Sequence, residues 1–173
     1  MIENPTRHKA KEAEFHLLQS KEHYQEDDEF SYFLSAFLSA ARSITFYMQK
    51  QYGKHSGFPK WYCEEQTRMV ADTDLKYLNE ARVEDVHRKP VHTGATRAVS
   101  FSIDAILVKE GEEYSFDTEP VIPEKAVESR NVTLRRYFVG REDVEVLEFC
   151  SLQLSKLISL LDRCEAKFSN KAN

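Results

Sequence analysis

Glycine and proline are scarce in this chain, five of each in 173 residues, which argues against a loop-rich or disordered protein. Cysteine is scarce too. Cys63, Cys150 and Cys164 are odd in number and lack close metal-type spacing. The last two read as small apolar residues on a helix face, so reduced thiols in a cytoplasmic protein are the expectation. No stretch approaches the roughly 20 apolar residues of a membrane span, and the N-terminal residues show no apolar signal core. The triplet Asn131-Val132-Thr133 therefore reads as accidental and not as a glycosylation acceptor. Positive charge is also in deficit. A net charge of −5 excludes a globally basic nucleic-acid binder, so any such site must be local.

What is present describes a globular chain with a sizeable core, 41% hydrophobic and 31% charged, most simply one domain. The first helix is expected from Pro5 to about Tyr24, capped by Asn4 with Pro5 in its first turn. The acids of Gln25–Glu29 then open a second helix, Asp28 to about Tyr52. Its signal is the three-four alternation of Phe30, Phe33, Phe37, Ala41, Ile44 and Met48. Ser35, Ser39 and Ser43 form a row of small residues beside Ala36 and Ala40, which suits tight helix packing or a polar pocket lining. Phe58 to about Val86 reads as a third helical region, with Asp72-Thr73-Asp74 as a kink or as the cap of a second segment. Ala71, Leu75, Leu78 and Arg82 share one seam in it.

From Thr96 the period changes to two. Val99, Phe101, Ile103, Ala105 and Leu107 alternate with polar residues, the mark of a strand. A turn follows at Lys109–Glu113, a return strand at Tyr114–Thr118, and a third strand candidate at Val132–Val139. Gly140 then leads into a closing helix whose seam is Val144, Leu147, Cys150, Leu154, Leu157, Leu161, Cys164 and Phe168; its natural mate is the long second helix. The expected fold is mainly α (α+β). It is an antiparallel helical bundle of about four long helices with a small antiparallel β insertion, 97–140, before the last helix.

Chemistry concentrates at Ala81–Pro90. Pro90 disfavours continued helix, and the window 82–97 carries a local excess of two positive charges. An always-charged guanidinium, Arg82, precedes an imidazole, His87, that titrates near neutrality, a pair suited to phosphate-ester chemistry. On an unbroken helix the two lie roughly 140° apart. They can converge only if the helix ends between them or a second copy supplies the partner. The plainer reading is a solvated helix end whose cations offset the dipole. His87, His92 and Cys63 lack any standard ligand spacing, so no metal site is expected. Gly53–Gly57 lacks the lysine-serine/threonine ending of a phosphate-binding loop.

Two long helices, a third ending in Arg-x4-His and a closing helix resemble the HEPN superfamily, as does the run Phe33–Ser43 of the second helix. The resemblance covers roughly 8–92 and 141–168. It implies a metal-independent endoribonuclease of toxin–antitoxin or defence type, without a cofactor, whose Arg and His meet across a homodimer. His87 would take the proton of an RNA 2′-hydroxyl and Arg82 would hold the phosphate oxygens. Glu84 or Asp85 would orient the imidazole, and Arg88, Lys89 and Arg97 would bind flanking phosphates of single-stranded RNA. Departures are visible: Val83 stands where active members commonly carry a polar residue, and Lys89 where one toxin group has Tyr. The competing reading is a non-catalytic helical binding module that holds a nucleotide, a ligand or a partner such as a cognate antitoxin. A third is a structural dimer joined through its aromatic-rich face.

Overall fold

The computed structural model describes residues 4–87, 93–101 and 130–169. Among them are five helices and two strands: α1 (Pro5–Glu22), α2 (Asp27–Tyr52), α3 (Phe58–Ala71), α4 (Thr73–His87), β1 (Thr93–Phe101), β2 (Arg130–Phe138) and α5 (Val146–Phe168). Contacts cluster into two compact units, one of Met1–Gly94 with Arg136–Asn173 and one of Ala95–Arg135. The turn at 109–113 and the return strand at 114–118 lie outside the described residues.

In the first unit, direction follows from which residues meet. Thr6 Oγ1 donates to Gln51 Oε1 at 2.7 Å and the His23 ring stacks on Phe33, so α1 runs antiparallel to α2. Arg7 pairs with Asp162 and Glu165 while Tyr24 donates to Glu145, so α1 is antiparallel to α5 as well. Gln49 meets Tyr62 and Ser35 meets Asp85, which sets α3 and then α4 against α2. The result is the expected antiparallel bundle, with α3 and α4 in tandem as one bent third arm. α5 touches α2, although the longest contact of α2 is with α1.

The start of α1 follows from its first residues. Asn4 Oδ1 accepts from the Arg7 N–H at 3.0 Å, and Pro5 occupies the first turn where its missing N–H costs nothing. Asp27, Asp28 and Glu29 open α2, where the helix dipole favours acids. The apolar positions read from α5 are buried as a stripe: Cys150, Leu154, Leu157, Leu161, Cys164 and Phe168. Both helix cysteines are buried and behave as small hydrophobes, whereas Cys63 is exposed. Burial pushes the Cys164 thiol up to about 12.

Asp72 breaks the third arm. Its backbone is extended (φ −80°, ψ 106°), and Oδ1 accepts from the N–H groups of Asp74 and Leu75, both at 3.0 Å. Oδ2 accepts from Lys156 Nζ of α5 at 2.7 Å. Burial alone raises the Asp72 pKa, but the Lys156 ammonium and the two backbone donors outweigh it and leave it below the ordinary carboxylate value. A carboxyl group held low in the fold contributes stability above its unfolded pKa and loses it as pH falls through its folded pKa. Asp72→Ala is therefore expected to cost about 1–2 kcal/mol at pH 7, mostly cap with a screened ion pair added. Urea titrations should show this gap narrowing below roughly pH 4. An equal gap at pH 7 and in acid would show that charge has no part in it.

The two strands pair with each other in a small antiparallel sheet. Along β2, Leu134, Arg136 and Phe138 are buried while Thr133 and Arg135 are exposed, the period of two expected of a strand. Gly94 is required where β1 passes Tyr137, because a Cβ there would collide with the tyrosine ring. Gly140, at φ 87°, makes the turn that carries the chain from β2 to α5. Phe138, Tyr77 and Phe149 then meet edge to face, with centroids 5.6–5.7 Å apart, joining β2, α4 and α5.

Candidate functional site

Helix α4 runs unbroken through both Arg82 and His87. No helix end falls between the two residues; they lie five positions apart along one helix. Arg82 is half-buried on α4, and its Nε meets no hydrogen-bond partner among the described residues. His87 is the last residue of α4. Asp85 Oδ2 accepts from Ser35 Oγ of α2 at 2.5 Å, which ties the end of α4 to the bundle. Glu84 is half-buried on the same helix, and Val83 is largely exposed. Arg97 lies on β1, exposed, in the second compact unit. Arg88, Lys89 and His92 lie outside the described residues. Of the candidate set, Arg82, Glu84, Asp85 and His87 thus share α4, and Arg97 lies on β1.

The residues that do converge lie elsewhere, in a cleft between α2, α3 and α4. Because Asp72 bends the third arm, the end of α3 and the start of α4 do not close down together on α2. A cavity of about 230 Å³ remains. Leu38 and Ala41 of α2, Met69 of α3, Leu75 and Leu78 of α4 and Leu157 of α5 supply its apolar walls. Polar groups enter from Arg42 and Thr45 on α2, Tyr62 and Gln66 on α3, and Lys76 and Asn79 on α4. Arg42 Nη1 donates to Thr45 Oγ1 at 2.5 Å, and Gln49 Nε2 donates to the Tyr62 hydroxyl at 3.0 Å. Burial raises the Tyr62 pKa, so the phenol stays neutral at physiological pH. Sequence reasoning missed this site. Arg42 sits in the quoted run of α2, but only a fold shows that Tyr62 and Lys76 face it.

A second polar cluster lines a shallower hollow between α3 and α5. Glu65 is buried, and its two oxygens are taken by Arg68 at 2.8 Å and Arg163 at 2.9 Å. One carboxylate held between two guanidiniums, one from each helix, reads as a clasp joining α3 to α5. No group of three His, Cys, Asp or Glu able to hold a metal ion occurs among the described residues. No helix among them is long and apolar enough to cross a membrane.

The described fold is a helical bundle with a preformed apolar cleft and a small two-stranded sheet. The family model described as bacteriophage lambda protein ea47 matches residues 6–106, from α1 through the end of β1, and the chain belongs to that family. This overturns the HEPN resemblance. Its helical layout is common to many bundles, its Arg-x4-His motif fixes only two residues, and the matched span covers both of them under a different family. No curated protein and no solved structure matches the chain.

Proposed function

We propose that this chain is a non-catalytic helical binding module whose ligand sits between α2, α3 and α4. The observation that carries this reading is the cleft itself: an apolar floor, polar groups converging at its mouth, and no rearrangement needed to open it. Ribonuclease chemistry is the other reading. Without the HEPN family it rests on Arg82 and His87, five positions or roughly 140° apart along a helix. It therefore needs a homodimer to assemble the site, whereas the cleft needs only one chain.

Isotopically labelled protein titrated with indole, an uncharged apolar probe, is expected to show shifted amide resonances around Ala41, Thr45, Met69 and Leu78. Single-stranded RNA incubated with the same protein in EDTA is expected to stay intact. Cleavage of that RNA, lost in Arg82→Ala, would make the ribonuclease the better account. Absence of shifts in the cleft would remove the module's site.

A further inference from the structure

Among the described arginines, Arg7, Arg68, Arg136, Arg141 and Arg163 each reach an Asp or Glu within ion-pair distance. Arg42 is different. Its one side-chain hydrogen bond goes to a neutral hydroxyl, that of Thr45, which leaves most of the five guanidinium donors unused. Across the cleft on α4, Lys76 has only a loose 3.8 Å pairing with Glu80, both largely exposed, a contact of little energetic weight. Among the described residues, no Asp or Glu lines the cavity between them. The cleft therefore places two cations at the mouth of an apolar hollow with no acid inside to neutralise them, and the Tyr62 hydroxyl on its wall is neutral.

Resting on the binding-module reading, we propose that the ligand is a compact monocarboxylate: an aromatic or branched aliphatic body seated on Leu38, Leu78 and Leu157, with its carboxylate held by Arg42 and steered by Lys76. Size supports this class. A cavity of about 230 Å³ falls just below the usual range of roughly 300–1,000 Å³ for ligand pockets, which suits a small acid and is too small for a strand of nucleic acid. Charge supports it as well. One planar guanidinium fork matches the two oxygens of a carboxylate, whereas a phosphate dianion is better served by several donors from different elements. The apolar body supplies affinity through burial, and the anion sets orientation in the cleft.

The test uses the full chain with 4-phenylbutyrate, its neutral analogue 4-phenylbutanamide, and inorganic phosphate, each followed by calorimetry and by amide shifts. Phenylbutyrate is expected to bind in the cleft roughly 10- to 100-fold more tightly than the amide, the size of effect a hydrogen bond to a charged group carries. In Arg42→Gln the two should bind alike. Arg42→Lys should keep part of the preference, because it restores charge without the fork. Arg42 is exposed, and matched thermal melts of both variants would show that the fold is intact. Equal binding of acid and amide to the wild type, with shifts in the cleft, overturns the carboxylate proposal and leaves the module reading standing. Displacement of phenylbutyrate by inorganic phosphate overturns it in favour of a phosphate site. Failure of phenylbutyrate, amide and indole alike to perturb the cleft overturns the module reading itself.

Discussion

Phe168→Ala should cost about 3–5 kcal/mol, the range for removing a buried phenylalanine from a core that cannot collapse around the space. Phe168 sits at the end of α5, yet it is 2% exposed. Its ring meets Phe58 and Trp61 edge to face, both at 5.4 Å between centroids, and His55 at 6.3 Å. Phe58 is itself stacked on Tyr62 at 5.3 Å, so the neighbours are held and cannot slide into the gap. Fraying of the last turn is opposed by a contact just beyond it, where the Ser169 and Tyr52 hydroxyls lie 3.3 Å apart. Trp61 is the sole tryptophan and is almost fully buried, so its emission reports on this cluster directly. Urea unfolding should show the midpoint falling, with folded-state emission shifted to the red. Phe168→Leu should lose roughly half as much. A loss below about 1 kcal/mol for Phe168→Ala would mean that the end of α5 repacks, and that this cluster does not anchor α3.

Much of the bundle was legible because it is written in periodicities of one element at a time. The three-four alternation of α2 and the seam of α5 need no knowledge of a partner to be seen, and most of both is buried, with Phe33, Val144 and Leu147 only partly so. Asn4 and Pro5 announce the start of α1, and Asp72 marks the division of the third helical region. Where the reading slipped, the cause lies between elements. Ala71 was placed on the same seam as Leu78, but the break at Asp72 resets the rotation and leaves Ala71 exposed. The pairing of α2 was read toward α5, although α1 takes the longer side. α1 carries a thin apolar stripe in which Ala10 and Ala13 do the close packing, and two alanines announce a helix contact weakly.

The candidate site was less legible, for a related reason. A chemical pair separated by five residues is visible in a sequence whether or not the fold uses it, whereas the cleft draws on four helices. Arg42, Tyr62 and Lys76 are spread over 35 positions, and nothing in their local patterns links them. What could have raised suspicion is Arg42 itself, a cation in the turn after Phe37, Leu38, Ala40 and Ala41, with no acid at the helix-neighbour positions 38, 39, 45 or 46. The bond from Ser35 Oγ to Asp85, fifty residues away, is equally invisible in the sequence.

Among the described polar residues Arg136→Ala should be the most damaging substitution, about 3–4 kcal/mol for lost packing and a stranded buried carbonyl, although the residue lies in a strand that reads as an ordinary alternating edge. Its side chain is 4% exposed on the inner side of β2. Nε donates to the Tyr24 carbonyl at 2.9 Å and Nη2 to Asp27 Oδ1 at 2.6 Å, and the guanidinium lies 4.5 Å from the Phe30 ring centroid. Its backbone N–H donates to the Tyr24 hydroxyl at 2.6 Å, which in turn donates to Glu145 Oε1 at 2.7 Å. One side chain thus fastens the end of β2 to the turn between α1 and α2, and Tyr24 carries the link on to the start of α5. Burial comes first in pushing the Tyr24 phenol up to about 12, with the Glu145 carboxylate adding to it, so this hydroxyl remains a donor at any ordinary pH. Removing Arg136 strands the Tyr24 carbonyl and empties the space over Phe30. Removing the acid does less. Asp27 is 74% exposed, but Asp27→Ala leaves one donor of the buried guanidinium without its carboxylate and should cost about 1–2 kcal/mol. Arg136→Lys should recover only part of the loss, since an ammonium cannot donate to a carbonyl and a carboxylate in one plane while lying flat on a ring. Chemical denaturation of the four proteins would check the order wild type, Asp27→Ala, Arg136→Lys, Arg136→Ala. Equal losses for Asp27→Ala and Arg136→Ala would mean that the ion pair is the whole contribution, and that the carbonyl bond and the ring contact add nothing.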